Sequence, residues 1–118
     1  MFYKAVECYV KLLNSKTLDV STTGVLTNQI GTCYFNLKQY KLAIHYFKKV
    51  ILIKEIPDVY TNIGLCYVNM KNYANAEEYF LKSYKLDYNN AKTTSSLGDI
   101  YYYTKKYKKS IEFYEKNS

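Results

Sequence analysis

The residues able to do chemistry in this chain are few and far apart. One histidine, His45, and three cysteines, Cys8, Cys33 and Cys66, are its only imidazole and thiol groups. A zinc-type site needs such donors at short, paired spacing. Here no two cysteines form a CxxC pair, and His45 has no matching ligand. No carboxylate or serine stands at a helical spacing from His45 that would build a triad. Glu77 with Glu78, and Glu112 with Glu115, lie among lysines, the pattern of a solvated face rather than an acid–base couple. Gly31, Gly64 and Gly98 lie about a third of the chain apart, so they cannot cradle a phosphate together. The chain is expected to be no enzyme and to need no cofactor or metal.

Charge narrows the choice of partners. The net charge is +7 and every basic residue is lysine, which raises the prior for acidic partners. The lysines run from Lys4 to Lys116 with one cluster, KKYKK, at Lys105 to Lys109. Spread in this way they read as solvated surface, and no nucleic-acid-reading motif accompanies them, so nucleic acid is disfavoured. The cluster could also serve nuclear import. Abundant Lys, Asn, Tyr and Ile has the look of an AT-rich genome, so part of the composition reflects codon usage. The cysteines fit reduced, small apolar residues of a cytoplasmic or nuclear protein. No apolar run approaches the roughly 18 residues of a membrane span, and the amino-terminal stretch, broken by Lys4 and Glu7, does not read as a signal peptide.

The elements that hold these residues repeat. Gly31, Gly64 and Gly98 each stand three residues before a tyrosine: Tyr34, Tyr67 and Tyr101. Twelve residues after each glycine comes a small residue, Ala43, Ala76 or Ser110, and four beyond it an aromatic, Phe47, Phe80 or Tyr114. Tyr60, Ile63, Gly64 and Tyr67 fall at i, i+3, i+4 and i+7, one stripe of a helix. Glycine inside a helix costs about 1 kcal/mol relative to alanine. Its recurrence implies a close approach of two antiparallel helices, with the aromatic filling the space. A period near 34 signals stacked supersecondary units. The spacing predicts seven helices, at about 2–14, 21–37, 40–54, 57–70, 73–86, 91–104 and 107–117, in an all-α chain.

With these residues the chain resembles the tetratricopeptide repeat family, whose pattern is W-x2-L-G-x2-Y, then A-x3-F, then P. Three in-phase copies span 24–56, 57–90 and 91–118. The departures are Thr27, Tyr60 and Thr94 at the tryptophan position, Ser110 and Tyr114 in the third copy, and a proline kept only as Pro57. Residues 1–13 match the second helix of an earlier repeat through Phe2, Ala5 and Tyr9. A missing first helix at one end and no polar cap at the other predict a piece of a longer array.

The resemblance implies a right-handed superhelical stack, or α-solenoid, that binds another protein, an extended peptide or a helix, along a concave groove of first-helix residues. Carried over by position, the groove takes Val25, Asn28, Gln29, Thr32, Phe35 and Asn36 from the first repeat. The second gives Asp58, Thr61, Asn62, Leu65, Val68 and Asn69, and the third Lys92, Ser95, Ser96, Asp99, Tyr102 and Tyr103. Amides carry both donor and acceptor, so Gln29, Asn62 and Ser96 would meet a peptide backbone while Phe35, Tyr102 and Tyr103 anchor apolar side chains. The family's carboxylate clamp maps to Asn28, Thr32, Asn62, Lys92 and Ser96, and only Asn62 and Lys92 have the matching type. Alternatives are a spacer or self-stacking segment of a larger scaffold, joined through Val6, Val10 and Leu13 at one end and Ile111 and Tyr114 at the other, and, less favoured, an RNA-binding helical repeat.

Overall fold

Helix starts and stops in this chain are set by local chemistry. The computed structural model describes residues 2–14 and 19–116. It shows helices α1 (Phe2–Leu13), α2 (Val20–Asn36), α3 (Tyr40–Ile53), α4 (Pro57–Asn69), α5 (Tyr73–Leu86), α6 (Ala91–Tyr103) and α7 (Tyr107–Glu115), and no strand among the described residues. The Asp19 carboxylate caps α2 by accepting from the Thr22 amide at 2.7 Å. Pro57 opens α4, where its missing N–H costs nothing. The Asn90 side chain caps α6, accepting from the Lys92 and Thr93 amides at 3.0 and 3.3 Å. Residues 15–18, within the expected long connection, lie outside the described residues.

Three helices end in the same way. Lys38, Lys71 and Lys105 adopt the left-handed conformation, with φ of 61°, 61° and 63°. The next amide reaches back to the repeat tyrosine's carbonyl: Gln39 to Tyr34 at 2.9 Å, Asn72 to Tyr67 at 2.8 Å and Lys106 to Tyr101 at 2.7 Å. This 6→1 bond, with a second bond from each lysine amide to the carbonyl three residues earlier, is a Schellman stop. Glycine usually holds this position because a Cβ there is strained; here lysine holds it three times.

The chain divides into two compact units, Met1–Glu55 and Ile56–Ser118. In the first, Val6, Ile30 and Cys33 form the buried centre, with Tyr9, Val10, Leu13, Tyr34 and Tyr46 packed around it. Val6, Val10 and Leu13 were expected to form a free end for self-association. Instead they pack against the core residues of α2, because that helix offers an apolar stripe through Ile30 and Cys33. In the second unit Ala76, Phe80, Leu97, Ile100 and Tyr101 are buried together, flanked by Leu65, Tyr67, Val68, Tyr73, Tyr84 and Phe113.

The recurring glycines sit at the closest approaches. A Cβ on Gly31 would come within 2.7 Å of the Phe47 ring, on Gly64 within 2.6 Å of Phe80 Cδ1, and on Gly98 within 2.5 Å of the Tyr114 ring. Ala43, Ala76 and Ser110 are buried one turn earlier on the facing helices. The Ser110 hydroxyl donates to the Gly98 carbonyl at 2.9 Å, so a serine replaces alanine there without leaving a polar atom unsatisfied.

Candidate functional site

The amino-terminal ends of α4 and α6 bring together the polar residues that a binding face would need. Asn90 Nδ2 donates to Asp58 Oδ1 at 3.0 Å while the same side chain caps α6 with its oxygen. Lys92 Nζ donates to Asn62 Oδ1 at 3.3 Å. Lys92 is exposed and Asn62 half-buried. An ammonium carries three protons and an amide two, so donors remain on both groups. One turn on, Leu65 is half-buried against the core and Asn69 Nδ2 donates to the Leu65 carbonyl at 2.8 Å. Cap, ion and amides thus lie along one face spanning two helices.

Other residues assigned to the groove lie elsewhere or are already engaged. Thr61 is fully buried: its hydroxyl meets Ser83 Oγ at 2.8 Å and Thr93 Oγ1 at 3.1 Å, and those two are 2.9 Å apart. That closed hydroxyl ring ties α4, α5 and α6 together, so Thr61 faces the interior and not a groove. Ser96 is 8% exposed and donates to the Lys92 carbonyl at 2.8 Å, which commits its proton. Asp99 accepts from the Tyr114 hydroxyl across the α6–α7 hairpin. Tyr102 and Tyr103 are exposed, but ten or more positions beyond Lys92, about 15 Å along the helix. There they join Tyr73 and Tyr107 in an aromatic cluster: Tyr103 stacks on Tyr73 at 5.6 Å, and Tyr102 meets Tyr107 edge-on at 5.8 Å.

In the first unit Gln29 is exposed, and Thr32 is exposed with its hydroxyl donating to the Asn28 carbonyl at 3.0 Å. Asn28 is half-buried, and its side-chain oxygen is shielded from solvent with no hydrogen-bond partner among the described residues. Phe35 packs edge-on against Tyr40 at 5.6 Å.

Electrostatics adds two tyrosines. Burial, then the hydrogen bond to Glu77 and its charge, pushes Tyr101 up to about 12. The Tyr101 hydroxyl donates to Glu77 at 2.9 Å, so Glu77 is not the merely solvated acid expected of it. The hydrogen bond to Asp99, then burial, raises Tyr114 to about 12. Both phenols stay protonated donors at neutral pH. Burial pushes the Cys66 thiol up to about 12 and raises Cys33, which makes both poor nucleophiles. His45 is exposed, edge-on to Tyr46 at 5.2 Å. Among the described residues no group of three or more His, Cys, Asp or Glu could hold a metal ion, and no helix is long and apolar enough to cross a membrane.

The pairs Asp58–Asn90, Glu77–Tyr101 and Asp99–Tyr114 and the hydroxyl ring escaped sequence reasoning. Their partners are 15 to 32 residues apart outside the ring. The ring had one sequence signal: Ser83 continues the buried stripe of Ala76 and Phe80.

A tetratricopeptide repeat profile matches residues 55–116, and a second of the same description matches 28–56. No curated protein matches the chain in sequence. Among solved structures the chain is similar to MamA 41-end from Desulfovibrio magneticus RS-1, with a TM-score of 0.86 at 22% identity, over 98% of this chain and 64% of that one. It is also similar to the first TPR of Spaghetti (RPAP3) bound to HSP90 peptide SRMEEVD, with a TM-score of 0.78 at 22% identity over 87% and 82%. YrrB, a TPR protein with an unusual peptide-binding site, gives a TM-score of 0.82 at 24% identity over 99% and 59%. The chain therefore spans less than two thirds of the MamA and YrrB chains. At these identities the likeness shows the all-α repeat fold.

Proposed function

The chain belongs to the tetratricopeptide repeat family, and from that premise we propose that it is a protein-interaction module that takes an extended peptide along the exposed face of α4 and α6. The observation that carries this reading is the bond from Lys92 Nζ to Asn62 Oδ1. It holds an ammonium and an amide in place with donors to spare. Ordering such groups in advance lowers the cost of binding. Lys92 and Asn62 would engage peptide carbonyls or a carboxylate, Asn69 would serve the next stretch of backbone, and Leu65 would give apolar contact. Lys92 is the single cation there, so the face suits recognition of main chain more than a terminal carboxylate. Two structural neighbours are described as peptide-bound or peptide-binding, which supports a peptide as the ligand class.

The test is a random peptide library panned on the purified chain, with selected peptides then titrated against wild type and an Asn62→Ala, Asn69→Ala double variant. The expected result is affinity weaker by about tenfold, roughly 1.4 kcal/mol, with helicity by circular dichroism unchanged. Equal affinity for both proteins would contradict the proposal. A spacer or self-stacking role is the second reading, favoured by Ile111 on α7, 56% exposed.

A further inference from the structure

The cluster at the α6–α7 turn is more than a run of solvated charge. Lys105, Lys106, Tyr107, Lys108 and Lys109 line a shallow, open surface hollow of about 510 Å³. Its lining is mostly apolar although four of its five residues are lysines. Lys106 and Lys109 lean over the Tyr101 ring, with Nζ 6.0 and 5.4 Å from its centroid. The Lys105 and Lys108 ammonium groups have no ion-pair or hydrogen-bond partner among the described residues. Beside them Tyr102 and Tyr107 are 58% and 54% exposed. Together these put exposed aromatic area and unpaired positive charge side by side at one turn.

The placement of that charge also runs against the fold's own interest. A helix amino-terminus carries the positive end of the helix dipole and favours acidic residues. The first turn of α7 has none, and lysines stand there instead.

We infer that the α6–α7 turn is a second docking surface, separate from the α4–α6 face, for an acidic segment of a partner protein that also carries apolar side chains. Carboxylates would pair with Lys105 and Lys108, and the apolar side chains would lie on Tyr102, Tyr107 and the lysine stems. Single-stranded nucleic acid fits less well. Successive bases need ring faces open as stacking platforms. Here Tyr102 meets Tyr103 and Tyr107 at 68° and 65°, and one face of Tyr103 is taken by Tyr73. The chain also has no arginine.

The experiment is fluorescence anisotropy on the full chain with three labelled probes: a peptide alternating Glu with Leu and Phe, its Gln-for-Glu twin, and an oligouridylate. The proteins are wild type, Lys105→Glu with Lys108→Glu, the charge-matched control Lys4→Glu with Lys41→Glu, and Asn62→Ala with Asn69→Ala. The Glu peptide should bind wild type and the control alike, lose about tenfold or more in the turn variant, and weaken with salt. Because Lys108→Glu puts an acid in the first turn of α7, where the helix dipole favours one, the turn variant should melt no lower than wild type. That separates lost binding from lost fold. The inference is overturned if wild type does not bind the Glu peptide, if the turn variant binds it as well as the control, or if the Gln twin binds equally. Tighter binding of the oligouridylate would overturn it in favour of nucleic acid. Loss of the Glu peptide only in the Asn62, Asn69 variant would place that ligand on the α4–α6 face, and so overturn this surface while leaving the other.

Discussion

The hairpins α4–α5 and α6–α7 are built on one backbone plan and finished differently. Both bring a glycine under an aromatic ring, Gly64 under Phe80 and Gly98 under Tyr114. Phe80 is fully buried, whereas Tyr114 is 41% exposed and its hydroxyl is held by Asp99. The repeat tyrosines differ as well. Tyr67 is half-buried and stacks on Tyr79 at 5.7 Å, while Tyr101 is 3% exposed and bonded to Glu77. The close approach is therefore the constant of the repeat, and the aromatic's polarity follows what its edge meets. Phe80, enclosed on all sides, carries no polar atom, whereas Tyr114, whose edge reaches water, carries a hydroxyl with Asp99 as its partner.

The largest effect that could break this comparison comes from the glycines. Gly64→Leu should destabilise by about 3 kcal/mol, since Phe80 has nowhere to move. Gly98→Leu should cost nearer about 1 kcal/mol, since Tyr114 can swing outward. Urea unfolding of both variants measures the difference, and equal losses would contradict the view that ring burial decides the cost.

The tyrosines give the next largest effect. Tyr101→Phe leaves Glu77 without its donor and should cost about 1.5 kcal/mol, whereas Tyr67→Phe should cost much less. The same residue sets an alkaline limit. The folded Tyr101 value, about 12, lies above the ordinary value of 10.0. The stability this provides is whole below pH 10, where both states keep the proton, and is lost as pH rises from 10 through 12. The free energy of unfolding followed across that window should fall less steeply for Tyr101→Phe than for wild type.

The smallest effect sharpens what the hairpins share. Lys71 and Lys105 hold the same left-handed position, so Lys71→Gly and Lys105→Gly should each raise stability, by about 0.5–1 kcal/mol. A gain at one and a loss at the other would show that the lysine side chain at the losing site supports the fold.

Most of the fold was legible because its signals are local and repeated. Glycine, tyrosine, small residue and aromatic recur at helical spacing, and the helix limits read from them fall within two residues of those observed. The candidate face was legible only in part. The resemblance, carried over by position, names Asn62, Lys92, Leu65 and Asn69 for the proposed face. It could not separate Thr61, turned inward to Ser83 and Thr93, from its neighbour Asn62, because a hydroxyl is small enough for either side and its direction depends on a partner 22 or 32 residues away. The same limit hid the Asn90–Asp58 bond. The left-handed lysines were hidden for a different reason: glycine is the usual signal for that conformation, and the sequence lacks it there.

The proposed function stands or falls on peptide binding at the α4–α6 face. Backbone amide NMR shifts, followed while a library-selected peptide is added to the isotope-labelled chain, test it most directly. The account predicts the largest shifts at Asn62, Leu65, Asn69 and Lys92, with the fully buried Thr61 and Ser83 moving little. Largest shifts on the exposed residues of α5 and α7, such as Lys85 and Ile111, with the four face residues unmoved, would contradict it.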